Sequence, residues 1–496
     1  MKKDKLIVSN RSALARKYGQ QHKSILADLQ SIVQSDKKRG LSTVIVFADD
    51  AAAMKKYKAP AVKDAANARQ NKLAIDALYR YFQPDYLLLA GAQDVIPFQP
   101  LANLLYSEDD EDETIPSDLP YACEAAYSTN PGKFIAPTRV VGRLPDVPGS
   151  SNPAYFRSLV KDVTGSKPGK TKDYQQYFSV SVHDWRLSTQ ESLTRIFGHH
   201  RQLQVSPAKG PQWTSAQLKP RAHFINCHGS LEDPCYYGQK GSKYPEAVNA
   251  ALLAKKISKG TIVAAECCYG AQLYDPSLTE TDQLSIANSY LLHHALAFTG
   301  SSTIAYGPAE GQGLADLLTQ YFLANVIKGA STGRALLEAR QRFLDEMGPT
   351  LDPYELKTLA QFYLLGDPSL VLTAAPPKTM ELRSNRRGNL AAKGIAFNSF
   401  ITIPRAVAAK KSSTTMQKGL QLLLKTKKFG QAPNKKVFEN TPKAAPLARG
   451  IKSMQAPVKF HVYSASSFHG KFKDTKVLVV KERNGDIIGY REYVRR

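Results

Sequence analysis

The chain has 496 residues, of which 43% are hydrophobic and 22% charged, and no apolar run reaches the roughly eighteen residues that a helical membrane span needs. That balance predicts a folded chain of two to four domains and excludes a disordered one. The net charge of +24 is uneven: residues 376–496 carry 26 lysines and arginines against 6 acidic residues, a net of +20, so any attraction to polyanions belongs to one end.

Five cysteines, at 123, 227, 235, 267 and 268, are too few and too clustered for a disulfide framework. The opening MKKDKLIVSNRSALARKYG lacks an apolar segment of signal-peptide length, which predicts a cytoplasmic location.

Along the first 375 residues, short apolar runs alternate with amphipathic stretches of helical length, the pattern of an α/β fold with a largely parallel sheet flanked by helices. Strands are predicted at 5–8, 42–47, 86–90, 139–141, 178–182, 222–226, 261–265 and 297–304, and helices at 24–33, 74–82, 190–197, 284–296, 313–327 and 333–343. The runs TVIVF, YLLLA and TIVAA are apolar on successive positions, so helices should cover both faces of the sheet. Glu108 to Glu113, EDDEDE, reads first as a solvated loop, with a calcium site or a dock for the basic region as alternatives.

The polar stretch GSKPGKTK at 165–172 predicts a division into an N-terminal α/β subdomain, 1–170, and a catalytic subdomain, 171–375. After Leu372 the sequence TAAPPK stops the pattern, and 376–450, rich in Lys, Ala, Ser and Pro, reads as a basic linker or arm. Residues 451–496 read as a small β-containing module, with Asn484-Gly485 as a two-residue hairpin turn.

Two strand ends carry the chemistry. AHFINCHGS leads into His228-Gly229, and TIVAAECCYG leads into Cys267-Cys268. In open α/β sheets, sites collect beyond the carboxyl ends of strands. A thiol paired with an imidazole is a nucleophile with a proton carrier, and the N–H groups of Gly229 and Cys268 could hold an oxyanion. The spacings match no zinc finger or ribbon, and no metal or cofactor is expected.

His-Gly at one strand end and Glu266-Cys267-Cys268 at the next resemble caspases, legumains and gingipains. The blocks YLLLAGAQDVIPF, IPSDLPYA, RVVGRLP, AFTGSSTIAYG and QFYLLGDPSLVL, in this order over residues 85–372, are similar to the gingipain family. The resemblance implies a caspase-like fold, a His/Cys dyad and cleavage after Arg or Lys. It leaves Cys267 and Cys268 both open as nucleophile, and Cys268 is preferred because the small Cys267 suits the buried position before it.

A substrate cation would need a facing carboxylate, for which Asp184 is expected first and Asp282 or Glu280 next. The expected partner is a protein or peptide with Arg or Lys at the cleavage site. A reading of another class is a scaffold that binds nucleic acid or an anionic surface through residues 376–496. A third expectation links the two: the basic arm could occupy the cleft of its own chain, or be cut there after Lys or Arg between residues 378 and 452.

Overall fold

The computed structural model describes residues 2–374, 383–409, 413–430, 433–440 and 456–496. In chain order its principal strands begin with β1 (Lys5–Ser9), β2 (Thr43–Phe47), β3 (Tyr86–Ala90), β4 (Val141–Leu144), β5 (Tyr177–Val182) and β6 (Leu203–Ser206). They continue with β7 (Ala222–Asn226), β8 (Thr261–Ala265), β9 (Ala295–Ser301), β10 (Tyr306–Pro308) and β11 (Phe362–Gly366). Ten of them form one sheet in the order β2-β1-β3-β4-β11-β9-β8-β7-β5-β6. Every neighbouring pair is parallel except β9 with β11.

This is the mostly parallel, helix-flanked α/β architecture expected of a caspase-like fold. Residues of β3, β7 and β8 are buried at nearly every position, which follows from their unbroken apolar runs and helices on both faces. The sheet continues across residue 170, because β4 pairs β11 through Arg143 and Leu365. The two halves therefore share one core.

The arm expected at 376–450 holds helices at Arg383–Phe400 and Thr414–Thr426 and strands β12 (Pro404–Ala406) and β13 (Asn434–Asn440). Its remaining residues, 376–382, 410–412, 431–432 and 441–450, lie outside the described residues. The chain continues with β14 (Val458–His469), β15 (Phe472–Arg483) and β16 (Asp486–Arg495). Asn484 and Gly485 both take positive φ, 55° and 90°, as the expected two-residue hairpin requires.

These strands form a six-stranded sheet in the order β10-β16-β15-β14-β13-β12. Its edge strand β10 comes from the α/β region before residue 375, so β16 lies antiparallel along it, with Tyr306 opposite Arg495 and Pro308 opposite Tyr493.

The acidic run 108–113 is not a solvated loop. Asp109 accepts hydrogen bonds from Ser464, Ser466 and Asn434, and Glu111 pairs with Lys473 at 2.9 Å. Asp110, buried, pairs with Lys357 at 2.5 Å. Four of these partners sit on the basic C-terminal region, so the loop docks there through hydrogen bonds to the Asp109 carboxylate and one ion pair. Among the described residues, no helix is long and apolar enough to cross a membrane.

Candidate active site

The cysteine turn and the histidine turn leave the same edge of the sheet. Ile225 of β7 and Ala265 of β8 face each other in register, and each strand then runs three residues on, to His228 and Cys268 respectively. The turns touch: a Cβ on Gly229 would lie 1.9 Å from the carbonyl oxygen of Cys268, so only glycine permits this approach. Tyr269 N–H bonds Thr303 O at 2.9 Å and Ala271 N–H bonds Ser301 O at 2.8 Å, fixing the cysteine turn to the end of β9.

The adjacent thiols face different surroundings. Both residues are fully buried. Burial raises the Cys267 thiol well above its ordinary pKa, and the neighbouring Cys227 adds to the shift. Cys227, Cys267 and Cys268 all lie in the main core, and the Cys267 carbonyl accepts from Ser301. Cys268 Sγ accepts from Ala305 N–H at 3.2 Å and meets the main-chain oxygen of Arg496. Burial raises its pKa as well, against the pull of the Arg495 cation.

His228 is 5% exposed and ringed by aromatics, with Trp185 at 4.4 Å, Tyr244 at 5.2 Å and Phe472 at 6.3 Å between ring centres. Burial pushes its pKa down to about 4, and the cations of Arg495 and Arg496 add to that. Its Nε2 lies 2.8 Å from Gln239 Oε1. The amide of Gln239 is oriented by its own donors, since Nε2 donates to Tyr244 Oη at 2.7 Å and Asp474 Oδ2 at 3.1 Å. Nε2–H of the imidazole therefore donates to Gln239, which leaves Nδ1 as the proton-accepting nitrogen.

Arg496 is 1% exposed. Its N–H bonds Ala305 O at 2.9 Å, its guanidinium pairs with Asp316 Oδ1 at 2.8 Å, and its Cζ stands 4.6 Å from the centre of the Trp185 ring. A Cβ on Gly307 would fall 2.0 Å from its Nε, so the glycine makes room for the cation. Asp316 opens the helix Leu314–Ile327, where the positive end of the helix dipole favours a carboxylate. Glu266 completes the floor: Thr319 donates to it at 2.9 Å. Burial raises the Glu266 pKa well above its ordinary value, and the charge of Asp316 adds to it.

The carboxylates expected for this task lie elsewhere. Asp184 is bound to His183 Nδ1 at 3.0 Å and to Gly241 N–H at 3.3 Å, with its side chain 40% exposed. Asp282 lines a separate groove of about 350 Å³ with Val147, Tyr155 and Asp275, and Cys267 is buried in the main core. Asp316 and Gln239 were missed. One signal for Asp316 was readable, an acid inside the apolar run LADLLTQYFLANVI, because an acid buried in such a run needs a partner.

Residues 240–373 match the model of Peptidase family C25, a stretch that holds Cys268 and Asp316 and starts beyond His228. The match supports a cysteine peptidase. Nothing among curated proteins matches the chain. A solved structure described as a protease is similar at 14% identity, covering 98% of this chain and 96% of that one, with a TM-score of 0.47. A chain of the Saccharomyces cerevisiae separase–securin complex is similar at 14% identity over 47% of this chain and 14% of its own, with a TM-score of 0.30. At these scores neither likeness bears on what the site does.

Proposed function

We propose that this cysteine peptidase is an endopeptidase that cleaves after arginine, with lysine the weaker substrate, through an acyl-enzyme on Cys268. The observation that carries the reading is a single residue, Arg496, whose main-chain oxygen meets the Cys268 thiol while its guanidinium pairs with buried Asp316. A substrate arginine held in the same way would present its carbonyl carbon to the sulfur. Asp316 takes the role first expected of Asp184 or Asp282.

In the reaction the Cys268 proton passes to Nδ1 of His228, and the thiolate forms a bond to the carbonyl carbon. The resulting oxyanion is held by the N–H groups of Gly229 and Cys268. As the C–N bond breaks, His228 returns its proton to the leaving amine. Water, deprotonated by His228, then opens the thioester and releases the new carboxylate. Gln239 is a positioning residue, because its carbonyl holds the Nε2 proton and so keeps the accepting nitrogen free. Arginine should exceed lysine, since a planar guanidinium reaches Asp316 while lying over Trp185.

The test is cleavage of arginyl and lysyl peptides by the full chain and by Cys268→Ala. Loss of turnover in the variant, with arginyl peptides preferred by the wild type, supports the reading. Retained turnover in Cys268→Ala overturns it.

A further inference from the structure

We propose that the end of β16 is a pseudo-substrate. Val494, Arg495 and Arg496 lie along β10 as a peptide with two consecutive arginines would, and they keep the cysteine site closed to other peptides. The inference rests on the reading of Cys268 as nucleophile and adds to it both a regulation and a substrate class.

Three independent contacts carry it. The backbone is already in a strand ladder on β10, with Gly307 opposite Val494 and Tyr306 opposite Arg495, and the N–H of Arg496 extends it to Ala305. A peptide substrate bound as an added strand would need the same main-chain groups. The guanidinium fills the Asp316 pocket, so no second cation fits. Arg495, opposite Tyr306 in the ladder, is half-buried, with Tyr306, Tyr269 and Glu111 in its field together with the Cys268 thiol, so the neighbouring position accommodates a second basic side chain.

The cover is held at a second place. Phe472, beside the hairpin joining β14 and β15, stacks on Tyr244 at 4.5 Å and approaches the His228 ring, and Asp474 accepts from Gln239. Away from the site, Tyr493 O–H donates to Asp352 at 2.7 Å and Lys427 pairs with Glu492 at 2.5 Å, which pins β16 in its register. With β16 seated, the thiol is protonated and the imidazole neutral, as their shifted pKa values suggest.

Much of the basic arm expected to enter the cleft, 378–382 and 441–452 among it, lies outside the described residues; the occupant proposed is the end of β16. A segment tethered in this way competes at an effective concentration of about millimolar or more. If the segment alone binds the site with a Kd of about 0.1 mM, that slows access about tenfold or more.

The experiment compares the full-length wild type with Arg496→Ala, using a Val-Arg-Arg chloromethyl ketone as probe and peptide mapping to locate the label. Labelling of Cys268 should be at least about tenfold faster in the variant, and a synthetic peptide of residues 489–496 should slow it again. Equal rates in the two proteins overturn the pseudo-substrate. Absence of label at Cys268 in both overturns the nucleophile assignment, and the proposal with it. Hydrogen exchange on the wild type gives a readout independent of the variant's folding. Amides of residues 493–496 should lose protection once the probe is bound while β14 and β15 keep theirs, and unchanged protection at 493–496 overturns the proposal. A Val-Ala-Arg probe that labels Arg496→Ala as fast as Val-Arg-Arg overturns the preference for paired arginines.

Discussion

The two large sheets bury their residues by opposite rules. In the ten-stranded sheet β8 is covered on both faces, and all five residues of TIVAA are buried. In the six-stranded sheet β16 alternates between exposed and half-buried positions over most of its length. A strand packed on both faces holds its tip rigidly, as a nucleophile and its base require. The end of β16 lies on three residues of β10 and adds only Tyr493 to the main core, so it can leave by releasing one core side chain while the ten-stranded sheet stays closed. The comparison separates a fixed machine from a movable cover.

The comparison breaks most visibly at the two thiols. Cys268→Ala should lower turnover of arginyl peptides by about four orders of magnitude or more, as losing a covalent nucleophile does. Cys267→Ala should stay within about tenfold of wild type, because its sulfur packs in the core and removing it leaves only a small cavity. Steady-state kinetics of both variants checks this, and the reverse ranking would place the nucleophile one residue earlier.

Next in size is the pocket. Asp316→Asn leaves a buried guanidinium without its charge partner, a cost of about 3–5 kcal/mol, or about 10² to 10⁴ in kcat/KM for arginyl peptides. Asp184→Asn and Asp282→Asn should each change it by less than about threefold, since the guanidinium pairs with Asp316 while Asp184 binds His183 and Gly241 and Asp282 lines another groove. A loss at Asp184 equal to that at Asp316 would restore the assignment made from sequence.

Much of the fold was legible because its signals are local. Unbroken runs such as YLLLA and TIVAA marked β3 and β8 to the residue, and Asn484-Gly485 marked the hairpin. β6, LQVS, was missed because four residues of mixed polarity carry no period. The arm at 376–450 was misjudged for a physical reason: its helices and strands gain their order by docking, as when Phe438 packs into the main core and Asn440 donates to Leu351 O at 2.8 Å. Composition does not report such distant burial. In the site, His228 and Cys268 were readable from strand ends. Asp316 and Gln239 were not, because each matters only through a partner far away in the chain or on a turn with no motif.

A smaller effect tests the floor of the pocket. Unfolded, Glu266 loses its proton near pH 4.5, whereas burial and Asp316 keep it protonated in the fold. The unfolded state therefore binds fewer protons above that pH, and the fold is penalised as pH rises. Glu266→Gln should gain stability over wild type between pH 4.5 and 7, on the order of 1 kcal/mol per pH unit until the folded group titrates. Thermal melts at several pH values check this, and a constant difference contradicts it. Smallest is a shift at the base: the imidazole of His228 should titrate near pH 4 in the wild type and move up toward 6.5 in Arg496→Ala, as one cation leaves and water enters. Imidazole C–H resonances followed against pH would show it, and an unmoved midpoint would mean that the cover does not reach the base.

The central claim is that Cys268, supported by His228, is the reactive thiol at this sheet edge. Its most direct measurement is mass-spectrometric mapping of the full chain after reaction with an arginyl chloromethyl ketone, alongside His228→Ala. The account predicts a single adduct on Cys268 that is lost in His228→Ala. An adduct on Cys267, or one on Cys268 that forms equally well without the imidazole, would contradict it.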